Sequence, residues 1–259
     1  MKENYMLEKE VKIDLLHAAL INKDFVTGEN NCDYEQHLFE VIQMSQYFKT
    51  KSNNKQYSRP VSEAHGECDC VSDDYELDFK LLATSTRLQA SKELTASIHS
   101  IGNGVTMVGA PRRPNTQMTV VQLHAAIRPY SLNQLETILN ETYAYGTIEC
   151  DIKTYLEKLI IQKNLFLFFP FKFSTDNKYD FDIVIDYLIN ALNNDFKESI
   201  KFRNKNSNNF DTYFAFVYEN KLIILEFNSS DKMEKIEVID LFNSPTYKYL
   251  YNRYVNTWL

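Results

Sequence analysis

Glycine and proline are scarce in this chain, six of each among 259 residues. Sandwiches and loop-dominated folds use both at their many turns, so the shortage argues against that class and for helices and strands of ordinary length. Cysteine is sparse too. Of the four, Cys68 and Cys70 lie too close to pair easily, and Cys32 and Cys150 supply no second pair of the kind a zinc site uses. Positive charge is short: the net charge is −7, and both halves of the chain share it. That argues against a nonspecific, high-affinity nucleic-acid binder but leaves room for a local basic groove. A long apolar run is missing, since the longest, Leu165 to Phe171, is far too short to span a bilayer. Met1 to Glu10 is charged and lacks the apolar stretch of a secretion signal. The expectation is a reduced, cytoplasmic protein with no membrane partner. Gly102-Asn103-Gly104 is not followed by Gly-Lys-Ser/Thr, which excludes ATP binding by a phosphate loop.

What is present suffices for a packed core. Hydrophobic residues make up 44% of the chain, with 17 Tyr and 17 Phe, so wholesale disorder is excluded. Apolar spacing predicts a helix over Leu7 to Ile21 and a second over Tyr34 to Phe48, with Asp33 as N-cap. On that second helix Glu35 shares a face with Leu38, Phe39 and Ile42, an unusual place for a carboxylate; Glu40 lies on a more polar side. Lys49 to Pro60 reads as a loop. Strands are predicted near Glu67 to Val71 and over Tyr75 to Thr84, joined as an antiparallel hairpin by Ser72-Asp73-Asp74. A helix over Thr86 to Ser100 and a strand over Val105 to Val108 follow. Thr119 to Arg128 reads equally as strand or short helix. Beyond it the pattern predicts helices from Ser131, over Ile152 to Lys163, over Phe181 to Phe202 and over Tyr247 to Val255. Strands are predicted over Leu165 to Phe173, Thr212 to Tyr218, Lys221 to Asn228 and Lys235 to Phe242.

Within Gly66 to Leu82 acids and a lysine fall at strand spacing. Asp78 and Lys80 point to one face of their strand, as does Glu76, while Phe79 and Leu81 point to the other. The polar turn after Val71 brings Asp69 back alongside. Two carboxylates and an ammonium at one sheet edge can hold a divalent cation and activate a water.

These residues resemble the PD-(D/E)XK, or restriction-endonuclease-like, nuclease superfamily. The resemblance rests on a helix with an inward Glu35, then Gly66-Glu67-Cys68-Asp69, then Asp78-Phe79-Lys80 on a strand, then a helix and a strand. It spans Asp33 to Ala110, under a third of the chain. Eight residues separate Asp69 from Asp78, within the range such nucleases use. Cys68 stands where many members carry proline, and Asp78 where glutamate is commoner. The resemblance implies that Asp69 and Asp78 ligate Mg²⁺ or Mn²⁺ and that Glu35 completes the metal shell. Lys80 would orient or deprotonate the attacking water. It also implies a nucleic-acid partner, DNA ahead of RNA, and a role in antiviral defence. Arg87 and Lys92 on the following helix, with Arg112 and Arg113 in the loop after it, are the candidate phosphate contacts.

The fold expectation is therefore α/β (α+β): a restriction-endonuclease-like core of mixed sheet flanked by helices over residues 1–130, and an α+β accessory region over residues 131–259. The acidic charge points to a protein partner or a homo-oligomer that assists DNA access. The competing reading is a non-catalytic interaction or regulatory subunit of a multi-protein defence or toxin complex, with the same acids as surface charges.

Overall fold

A computed structural model of the chain describes residues 12, 16, 19–21, 25–27, 30–60, 67–101, 130–145, 147–158, 163–173, 180–206, 210–228 and 231–256. Within these residues the fold is mixed α and β, built on a six-stranded sheet. The expected strand over Val105 to Val108, the undecided stretch Thr119 to Arg128 and the basic loop with Arg112 and Arg113 lie outside the described residues. None of the described helices is long and apolar enough to cross a membrane.

The elements run as follows. Strands β1 (Phe25–Thr27) and β2 (Asn30–Cys32) form a small antiparallel hairpin. Helix α1 (Tyr34–Met44) begins at Asp33, whose side chain accepts from the Gln36 amide at 2.8 Å. This is the N-cap that the sequence predicts. The helix expected to reach Phe48 breaks at Ser45, and α2 (Gln46–Lys51) starts afresh. Ser45 takes extended φ/ψ of −64° and 128°, and its hydroxyl accepts from the Phe48 amide. Glu237 holds the break from across the molecule: its carboxylate accepts from the Ser45 hydroxyl and from the Gln46 amide.

Strands β3 (Cys70–Val71) and β4 (Glu76–Leu81) are the expected antiparallel hairpin, in a shorter form. β4 stops before Thr84 because the Thr84 hydroxyl caps the next helix, accepting from the Arg87 amide at 3.2 Å. Helix α3 (Ser85–Ile101) follows. After a 3₁₀ turn at Leu132–Gln134 come α4 (Leu135–Leu139), the hairpin β5 (Tyr143–Tyr145) and β6 (Ile148–Cys150), and α5 (Ile152–Lys158). Then come β7 (Leu165–Phe173), α6 (Phe181–Asn206), β8 (Thr212–Tyr218), β9 (Lys221–Phe227), β10 (Met233–Asp240) and α7 (Pro245–Tyr251).

The sheet order is β10-β9-β8-β7-β4-β3. β4, β7 and β8 run parallel, and the other neighbours are antiparallel. Parallel neighbours need long crossovers, and α6 is the one between β7 and β8. β7 and β8 are buried on both faces, which explains their continuous apolar sequence, Leu165 to Phe169 and Thr212 to Tyr218. Phe169 and Phe216 stack on one face with ring centroids 4.5 Å apart. The division expected at residue 130 falls on Tyr130, which bridges Phe173 of β7. Strands from both sides of that residue share this one sheet and one hydrophobic core.

One face of the sheet carries Leu77, Phe79, Phe166 and Phe168 and is covered by α1 and α2. Phe48 packs on Phe166 and His37 on Phe168. The C-terminal helix α7 docks against α1 through Glu40, which accepts from the Ser244 hydroxyl (2.6 Å), the Thr246 amide (3.0 Å) and the Thr246 hydroxyl (2.8 Å). Glu40 thereby satisfies orphan donors at the start of that helix. The other face carries Asp78, Lys80, Leu167 and Phe214, and here α6 packs with Phe196 on Phe214.

Candidate active site

Asp78 sits early in β4 and is 5% exposed, a depth at which a carboxylate needs partners. It has two. Lys80, two residues along the strand and on the same face, forms an ion pair with Oδ2. Lys163, just before β7, donates to Oδ1 at 3.3 Å and to the Glu67 carbonyl at 3.3 Å. Each oxygen of Asp78 therefore faces an ammonium.

The β3–β4 hairpin brings Asp69 to the edge of β4. Cys70 pairs with Leu77 and Val71 with Glu76. Asp69 lies in the bend one residue before β3, next to the Cys70–Leu77 pair. Strand β3 has already ended there, so it offers no carbonyl to the next amide of β4. The Asp78 amide donates to Asn164 on the β7 side, so the Phe79 amide faces the β3 side. The Asp69 carboxylate accepts it at 2.5 Å.

Tyr155 of α5 is buried. Burial, then the Asp78 carboxylate and, more weakly, that of Asp69, push its phenol well above the ordinary value, while Arg203 opposes the shift. Cys68 lies beside them, its thiol 3.5 Å from a Glu76 carboxylate oxygen. Burial pushes Cys68 up to about 12, and the neighbouring acids add to the shift. Burial also holds Cys70 protonated. Neither thiol is a ready metal ligand at neutral pH, because metals bind the thiolate.

The structure pairs Lys80 with Asp78, holds the Asp69 carboxylate on the amide of Phe79 between them, and pairs Glu35 with Arg59 instead. Glu35 is nearly buried on α1, and Arg59 binds it at 3.1 Å while also reaching Asp33 at 3.5 Å. Its apolar-face position is thus that of an ion-paired core carboxylate. Among the described residues no three His, Cys, Asp or Glu side chains gather as a metal-holding group. Burial, then the carboxylates of Glu35 and Asp69, push the hydroxyl of the neighbouring Tyr34 well above its ordinary value.

Of the expected phosphate contacts, Arg87 is buried, with its guanidinium 3.9 Å from the centroid of the Tyr130 ring. Tyr130 in turn donates to Glu141 at 3.1 Å. That position ties α3 to the segment after it and does not offer the cation to a ligand. Lys92 is exposed on α3. Arg112 and Arg113 lie outside the described residues.

Three residues of the site have no motif to announce them: Lys163, Tyr155 and Arg203. Arg203 continues the buried stripe of α6 through Leu192, Phe196 and Ile200, and a charge on such a stripe is the same signal that singles out Glu35. It is 1% exposed and donates to the Phe210 carbonyl (3.0 Å), the Thr212 hydroxyl (2.7 Å) and the Lys163 carbonyl. It therefore fixes the segment from which Lys163 projects. Lys163 itself precedes an apolar strand, and nothing local signals its partner. No family model, curated protein or solved structure matches the chain.

Proposed function

We propose that the chain is a nuclease dependent on Mg²⁺ or Mn²⁺, with a restriction-endonuclease-like core, that hydrolyses phosphodiester bonds, DNA ahead of RNA. One observation carries the reading: the Asp69 carboxylate sits on the amide of Phe79, the residue between Asp78 and Lys80, and those two form an ion pair. Two carboxylates fit Mg²⁺, which keeps several waters and needs few protein ligands. Because both oxygens of Asp78 face ammonium groups, a metal there competes with at least one of them. When bound, the ion supplies Lewis-acid stabilisation and a more acidic water. Asp69 and Asp78 would hold it. Lys80 would orient the attacking water and offset charge that develops on the phosphate oxygens. In-line attack forms a new P–O bond as the bond to the leaving oxygen breaks, and the leaving oxygen takes up a proton. The net charge of −7 supports a need for a partner protein or homo-oligomer at the nucleic acid. A role in antiviral defence follows from the family by association alone.

The test is cleavage of plasmid DNA and of RNA with Mg²⁺ or Mn²⁺, wild type against Lys80→Ala. The variant is expected to lose about 100-fold or more. Equal cleavage by both proteins sinks the assignment. The same two ammonium groups on Asp78, with no third acid gathered among the described residues, favour a second reading. In it the carboxylate is a neutralised core charge in a non-catalytic interaction subunit. That reading predicts no metal-dependent cleavage of any nucleic acid.

A further inference from the structure

Lys163 touches both acid-bearing segments at once. Its ammonium lies 3.3 Å from the Asp78 carboxylate and 3.3 Å from the Glu67 carbonyl, two residues before Asp69. The ammonium thus takes one oxygen from β4 and one from the segment that leads into β3. Its base and its head differ in freedom. The backbone at its base is clamped: the Lys163 carbonyl accepts from Arg203, and Asn164 bonds the Asp78 amide (2.9 Å), the Glu76 carbonyl (2.9 Å) and the Asp211 amide (2.9 Å). The side chain, by contrast, is 25% exposed and has a flexible four-carbon stem. The ammonium can therefore leave Asp78 for solvent while the backbone stays in place. Lys80 differs, because its stem rises from β4 itself, on the same face as the acid it binds.

We propose that Lys163 is a tethered cation that joins β4 to the Asp69-bearing segment before β3 in the metal-free protein and that an incoming divalent ion displaces. This inference rests on the metal-site reading of Asp69 and Asp78. It makes Lys163 a positioning residue that tunes metal affinity, distinct from Lys80, which is assigned to the reacting groups.

The test is calorimetric titration of Mn²⁺ into wild type, Lys163→Met, Lys163→Arg and Asp78→Asn. Removing the competing charge is expected to tighten Mn²⁺ binding by about tenfold in Lys163→Met, a change of about 1.4 kcal/mol. Lys163→Arg, which keeps the charge, should bind no tighter than wild type. If Lys163→Met binds Mn²⁺ no more tightly, while Asp78→Asn abolishes binding, the Lys163 role falls and the metal site stands. If none of the proteins binds Mn²⁺, the metal-site reading falls and takes this inference with it. A second measurement needs only wild type: acylation of lysine amines, read by peptide mass spectrometry. Saturating Mn²⁺ should speed acylation of Lys163 severalfold and leave that of Lys55 unchanged. An unchanged Lys163 rate in protein that binds Mn²⁺ overturns the proposal even if the Met variant fails to fold.

Discussion

The carboxylate of Asp69 accepts the backbone amide of Phe79 at 2.5 Å, ten residues along the chain. The bond takes over where β3 ends and keeps the free edge of β4 satisfied. Asp69 therefore has a structural task besides any metal it holds, and the two tasks separate by substitution.

Asparagine at position 69 keeps a carbonyl acceptor for the Phe79 amide but lacks the charge for a divalent ion. Asp69→Asn should retain most of the stability, whereas Asp69→Ala should lose about 2 kcal/mol, typical of a hydrogen bond to a charged group. Both should be inactive in the cleavage assay. Urea denaturation reads the stability difference. If Asn costs as much as Ala, the hydrogen bond is not what position 69 contributes to the fold.

Arg203 supports the opposite side of the site. It is buried, and its acceptors include the Lys163 and Phe210 carbonyls and the Thr212 hydroxyl. Burial lowers its guanidinium to about 10, so it stays charged at neutral pH. Arg203→Met strands those acceptors and is expected to cost about 3 kcal/mol or more. Arg203→Lys should recover only part of this, since a compact ammonium does not span three separated acceptors as a planar fork does. Thermal melting of the two variants measures it, and a Met variant as stable as wild type refutes this account of the anchor.

His37 sets an acid limit on stability. Its Nδ1 lies 3.2 Å from the Ser244 hydroxyl, which itself donates to Glu40, so the neutral ring carries its proton on Nδ1. Nε2 is buried with no partner among the described residues. Burial pulls His37 down to about 4, against a smaller upward pull from Glu40. The unfolded chain takes up this proton near pH 6.5, whereas the folded protein resists it until about pH 4. Stability is therefore complete above the unfolded pKa and falls as pH drops through that window, by about 3 kcal/mol in all. His37→Phe keeps a ring beside Tyr247 and removes the titration. The stability gap between wild type and variant should shift by that amount in favour of the variant between pH 7 and pH 4. A gap that does not change with pH rules out His37 as the titrating group.

Much of the fold is legible in the sequence where burial alone decides structure. Leu165 to Phe173 reads as a buried strand because it is apolar on both faces. Thr212 to Tyr218 and Lys221 to Asn228 read as a hairpin because only Glu219 and Asn220 separate them, and the strands form with the second ending at Phe227. The break at Ser45 is invisible because the group that holds it is the carboxylate of Glu237, 192 residues away. Thr84 reads as strand from its neighbours and becomes a helix cap because its hydroxyl finds the Arg87 amide. Arg87 reads as a candidate phosphate contact on its helix, and its burial depends on the Tyr130 ring, which arrives from beyond the end of α3.

The chain's residues by themselves determined the Asp78–Lys80 pair, because two-residue alternation on a strand leaves the two side chains no choice of face. They also determined the β3–β4 hairpin that brings Asp69 to the edge of β4, since a tight polar turn joins the two strands. Only the tertiary structure decided which cations surround Asp78 and which acids do not. The parallel pairing of β4 with β7 places Asp78 level with Leu165 and so brings in Lys163, 85 residues away, with Arg203 behind it. Glu35 was drawn off by Arg59. The physical reason is the same for both: an ion pair needs two charges within a few ångströms, and over such separations in sequence that distance is set by how sheets and helices pack, not by the spacing of residues along the chain.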